Sequence, residues 1–163
     1  MKTMKKLFGL LLMLGVGWGL TGCDSDEIKL GNISNSLCKP IDIGSRLVPY
    51  ECMEVAYEVK DNLLKVTMIN YPMNCGAEGA SMEIVSCEGN KIVLKPYDIE
   101  KDGIVATCTC AVDVTAAVRN LVVGETYHCT VSIYDDLNFS FTFVLENGRT
   151  GTIKYSDGVT NLD

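Results

Sequence analysis

The chain has one histidine, His128, and one tryptophan, Trp18, in 163 residues, and aromatics make up only 7% of it. A single histidine leaves little room for Ser-His-Asp or Cys-His catalysis. Neither a Gly-x-Ser-x-Gly elbow nor a glycine-rich phosphate loop between a strand and a helix is present. No Cys-x-x-Cys pair occurs, which removes the usual zinc and thioredoxin-like spacings. Basic charge is scarce, with 14 Lys and Arg against 21 Asp and Glu, and no basic stripe interleaves with aromatics, so phosphate backbones are repelled and nucleic acid is excluded as a partner. The 21 acids provide carboxylate pairs of the glycosidase type by number alone, and nothing in the sequence selects one. These absences point away from an enzyme.

What is present begins with "MKTMKK", three lysines ahead of an uncharged apolar segment, residues 7–20. Its 14 residues suit a secretory signal core and fall short of the ~20 of a spanning helix. Small residues follow, and Leu20-Thr21-Gly22-Cys23 resembles the lipobox of bacterial lipoproteins. The resemblance implies cleavage before Cys23, lipidation of Cys23, and attachment to the outer membrane through that lipid. "CDSDE" resembles the acidic stretch that directs Bacteroidota-type lipoproteins to the cell surface, with the periplasmic face as the alternative. Loss of residues 1–22 removes three lysines and no acids, leaving 11 bases against 21 acids, a formal charge of −10. The remaining 141 residues suit one domain with a real core.

Residues 24–48 are rich in Gly, Asn, Ser and Asp and lack a sustained period, which reads as a flexible tether with a root-mean-square reach of roughly 25–30 Å. From residue 49 onward, period-2 alternation between turn signals predicts seven to nine short strands, an all-β antiparallel sandwich over residues 49–156 with a tail at 157–163. Met53, Val55, Tyr57 and Val59 share one face, as do Leu64, Val66 and Met68 after the turn "KDN". "EGN", "DDLN" and the Asn147-Gly148 pair mark further hairpins. "VDVTAAVRNL" fits a helix face too, but leads directly into a strand motif and is read as a strand.

In that motif, "NLVVGETYHCTVSI", the residues Leu121, Gly124 and Tyr127 resemble the tyrosine corner of immunoglobulin-like and fibronectin-type domains. The resemblance implies an immunoglobulin-like sandwich and transfers no function. A looser resemblance over residues 69–131, carried by Asn70, Cys75, Cys108-x-Cys110, Asp113 and the corner, is to a family of small bacterial lipoproteins of unknown function.

Besides Cys23, seven cysteines remain: Cys38, Cys52, Cys75, Cys87, Cys108, Cys110 and Cys129. In an exported chain these are disulfide candidates, with one left over. Strand phase sets Ile104, Ala106, Cys108 and Cys110 on one side, so Cys75 in "NCGAEG" is expected to pair with Cys108 or Cys110, and Cys52 with Cys38. "DIEKDGIVATCT" sets Asp98, Glu100, Asp102 and Gly103 at calcium-loop positions, but Thr109 stands where the closing Glu belongs, so it reads as an acidic turn. Tyr50, Tyr71, Tyr97 and Tyr134 are candidates for a contact surface. The expectation is a lipoprotein acting as a non-catalytic binding module for a glycan or protein, with no cofactor and no metal. A thiol-based metal or redox site on Cys75, Cys108 and Cys110 is one alternative. A structural assembly subunit using an open sheet edge is the other.

Overall fold

A computed structural model describes residues 28–39, 48–134 and 137–155. The signal segment, Cys23 and the tail 157–163 lie outside them. Nine strands are described: β1 (Lys29–Asn35), β2 (Glu54–Lys60), β3 (Leu63–Asn74), β4 (Gly79–Glu88), β5 (Lys91–Ile99), β6 (Thr109–Arg119), β7 (Thr126–Tyr134), β8 (Leu137–Val144) and β9 (Thr150–Lys154). They form a five-stranded sheet, β1-β6-β3-β2-β9, and a four-stranded sheet, β4-β5-β7-β8. The expected apolar phase is met: Met53, Val55, Val59, Leu64, Val66 and Met68 are at most 1% exposed. They join Leu94, Val112, Cys129, Val131 and Phe139 in one cluster between the sheets.

Turn chemistry follows the sequence at the first hairpin. Asp61 and Asn62 both take positive φ, 53° and 60°, between β2 and β3, as a type I′ hairpin requires. The ambiguous "VDVTAAVRNL" lies mostly in β6, with Val114, Ala116 and Val118 fully buried.

Four expectations are corrected. The first is the tether at residues 24–48, which contains β1; that strand pairs antiparallel with β6, from Lys29↔Arg119 to Asn35↔Val114. Its polar sequence hid it, since an edge strand needs no buried face and its burial is mostly exposed. The second is the wholly antiparallel sandwich: β5 and β7 pair in parallel, Lys91↔His128 to Leu94↔Val131. The third is the Asn147-Gly148 hairpin. The segment instead crosses between sheets, because β9 pairs with β2, where the Val59 N–H donates to Arg149 O (2.7 Å) and the Gly148 N–H to Val59 O (2.9 Å). The fourth is Tyr71, treated as a surface tyrosine. A bulge between Met68 and Tyr71 turns Asn70 out at φ 59° and brings Tyr71 into the core at 7% exposure.

The connections sort the molecule into two ends. The β2–β3, β4–β5, β6–β7 and β8–β9 connections and the start of β1 lie at one, the lower end. At the upper end lie the β3–β4 turn, the β5–β6 loop, the 3₁₀ turn Tyr50–Cys52 before β2 and the end of β7.

Candidate binding site at the upper end

Two disulfides pin the loops of the upper end. Cys75 is bonded to Cys108, with Cα atoms 5.7 Å apart, within the expected pair of choices. Asn74 reinforces this clamp: its Oδ1 accepts from the Gly76 and Ala106 N–H groups (2.8 and 2.9 Å), and its Nδ2 donates to Ala106 O (2.9 Å). Cys38 is bonded to Cys110, not to Cys52. The reason is register. The Lys39 N–H donates to Ala111 O (2.8 Å), which sets Cys38 beside Cys110 at a Cα separation of 5.5 Å. Residues 104–108 are not strand, so Cys108 and Cys110 do not share a face and reach different partners.

Cys52, in the 3₁₀ turn, and Cys129, in the core, are thiols. Burial pushes the Cys129 thiol up to about 12. Cys87, buried near the end of β4, is disulfide-bonded. With Cys75, Cys108 and Cys110 all in disulfides, none offers a thiolate, and among the described residues no three His, Cys, Asp or Glu side chains group so as to hold a metal ion. His128 stands on the outer face of β7, where Nδ1 and Thr142 Oγ1 are hydrogen-bonded at 2.9 Å.

Beneath the loops, Asp113 Oδ1 accepts from Lys39 Nζ (2.6 Å) and from the N–H of the bulged Asn70 (3.1 Å), whose Nδ2 donates to Cys52 O (2.7 Å). The Asn70 and Asp113 singled out in the sequence thus meet at the bulge, with Lys39 as a third member. Their geometry holds the 3₁₀ turn onto the sheet and with it Tyr50.

Tyr50 and Tyr134 come together across the two sheets with ring centroids 6.0 Å apart and planes at 62°, an edge-to-face pair. Both remain open to solvent, at 48% and 44% exposure. Below them lie Tyr71 and Asp98. Asp98 continues the inward phase of Ile92, Leu94 and Pro96 on β5, and its Oδ2 accepts from the Asn74 N–H at 2.9 Å. Its Oδ1 is buried with no partner in hydrogen-bond geometry. The Tyr71 phenol is held well above its ordinary range, first by burial, then by the Asp98 charge and a hydrogen bond with that carboxylate. Tyr134 is raised in the same direction by partial burial, then by Tyr50 and Asp98. Sequence reasoning assigned Asp98 to a calcium-like string; the signal that places it is its strand phase.

No family model, no curated protein and no solved structure matches this chain.

Exposed apolar side chains gather at the same end. Leu37, Tyr97, Ile99, Ile104 and Val105 join Tyr50 and Tyr134 there. A concavity of about 590 Å³ crosses the outer face of the four-stranded sheet between Glu88, Lys91, His128 and Thr142. Two of its hydroxyls, Thr130 and Ser140, are bonded to each other at 3.0 Å, Thr142 is bonded to His128, and its phenyl ring, Phe141, is half-buried. The upper end is the better candidate. It combines aromatic faces, exposed apolar side chains and a partly buried carboxylate, beside two loops joined by disulfides.

Proposed function

We propose that this chain is a lipoprotein, anchored to the outer membrane through a lipidated Cys23 and displayed at the cell surface, and that its sandwich is a non-catalytic binding module for a protein or glycan. The exposed Tyr50–Tyr134 pair at the upper end, whose 3₁₀ turn is held by the Asn70 Nδ2 hydrogen bond to Cys52 O, carries the reading. A rigid aromatic pair offers contact area at little cost in side-chain entropy, and a patch of apolar residues at one end of a monomer is the usual mark of an interaction site. The corner supports an immunoglobulin-like relationship for the sandwich. Leu121 and Tyr127 are buried, Gly124 takes φ 85°, and the Tyr127 hydroxyl accepts from the Val122 N–H at 2.8 Å. The parallel β5–β7 pair departs from that pattern.

The test has two arms. Metabolic labelling with a radioactive fatty acid should mark the native chain and not Cys23→Ala; equal labelling of both, or of neither, removes the anchor. The mature chain, screened on glycan arrays and against surface-protein fractions, should retain a ligand that Tyr50→Ala/Tyr134→Ala loses by at least about tenfold, as the removal of paired aromatic contacts implies. A ligand held equally by the variant would place binding elsewhere.

A further inference from the structure

We propose that the lower end of the sandwich rests on the lipid surface that holds Cys23, with Val122 and Val123 of the β6–β7 connection as its apolar contact. The proposal rests on the anchored reading above and concerns where the domain sits once anchored.

The first argument is chain length. From Cys23 to Lys29 there are six residue steps, at most about 20 Å even when fully extended. The longer tether expected from composition is gone, because β1 is part of the sheet. The second is where that short connection ends. Lys29 pairs with Arg119, the last residue of β6, so the lipid attachment enters beside the strand that leads three residues later to Val122.

The third argument is the connection itself. Val122 and Val123 are 61% and 59% exposed, although the turn that carries them is firmly built. The Val122 N–H donates to Tyr127 Oη (2.8 Å), the Glu125 N–H to Val122 O (3.2 Å), and the Gly124 N–H to Leu145 O (3.1 Å). The corner therefore holds two valines out of the core in a fixed position. An apolar pair of this kind is suited to the boundary between headgroups and acyl chains.

Charge does not drive this contact: Lys29, Lys60, Lys91, Arg119 and Arg149 stand at the lower end against Glu58, Asp61, Glu88, Glu125 and Glu146, and Asp24, Asp26 and Glu27 follow Cys23 in the sequence. The contact is therefore apolar and belongs on a neutral phospholipid surface, since an anionic one repels those acids. The eleven residues of β6 then lift the tyrosine end by roughly 35 Å.

The mature chain has no tryptophan, because Trp18 precedes Cys23, so a single introduced indole reports its own surroundings. The full precursor carrying Val123→Trp, and separately Val105→Trp at the upper end, would be expressed in a lipoprotein-processing host and placed in phosphatidylcholine vesicles with and without phosphatidylglycerol. The expected result is a blue-shifted Val123→Trp emission that lipids brominated high in the acyl chain largely quench, with phosphatidylglycerol giving no increase. Val105→Trp should emit as a water-exposed indole and be quenched by acrylamide. If both proteins float with the vesicles and both indoles emit from water, the contact is disproved while the anchor stands. If neither floats, the anchor fails, and the contact with it. Far-UV circular dichroism checks that both variants are folded, as expected at sites where the native valine is mostly outside the core.

Discussion

Cys129 and Cys52 are the same residue type with opposite chemistry, and burial makes the difference. Cys129 is fully buried among Val131, Phe139 and Leu94, and the cost of taking a thiolate out of water pushes its ionisation up to about 12. Its folded value exceeds the ordinary one, so its contribution to stability is complete below about 9 and is lost as pH rises toward 12. Urea unfolding should therefore show a steeper loss of stability between pH 9 and 11 for the native chain than for Cys129→Ala, which starts lower by about 1–2 kcal/mol for the volume removed. Parallel curves would refute this. Iodoacetamide should modify Cys52 in the folded protein and leave Cys129 untouched until denaturant is added. Tyr71 shows the limit of reading one residue at a time: its aromatic character was plain, but a one-residue bulge at Asn70 decided which side of the sheet it occupies.

At the scale of elements, the edge formed by β2 and β9 is held by an aromatic stack. Tyr57 lies against Phe141, with centroids 4.5 Å apart and planes within 7°, and Tyr127 stacks on Phe143 at 5.6 Å. Gly151 of β9 makes this possible, since a Cβ there would run into the Tyr57 ring. Gly151→Ala should cost about 1–3 kcal/mol as the ring is displaced, measured by thermal or urea unfolding. An unchanged midpoint would mean that the ring moves freely. The two disulfides close stretches with sequence separations of 72 and 33 residues. In the chain-entropy account each contributes about 4 kcal/mol. Strands with a buried face were legible because alternation records burial. β1 was not, because its stabilisation comes from backbone pairing with β6, which leaves little trace in side-chain polarity.

For the whole molecule, the state of the cysteines gives a test of the tertiary structure. Among the described cysteines, Cys38, Cys75, Cys87, Cys108 and Cys110 are disulfide-bonded, and Cys52 and Cys129 are thiols. Peptide mapping after alkylation under denaturing, non-reducing conditions should find the label on Cys52 and Cys129; label on Cys75, Cys108 or Cys110 would contradict the pairing. By itself the sequence determined the all-β class, most strand positions and the inward or outward phase of most side chains, because each follows from a local period of two. The tertiary structure alone decided that Cys38 meets Cys110, that β5 lies parallel to β7, that β1 joins the sheet, and that Tyr50 and Tyr134 meet above Asp98. These depend on register, bulges and strand order, which arise from contacts between distant segments and carry no local period.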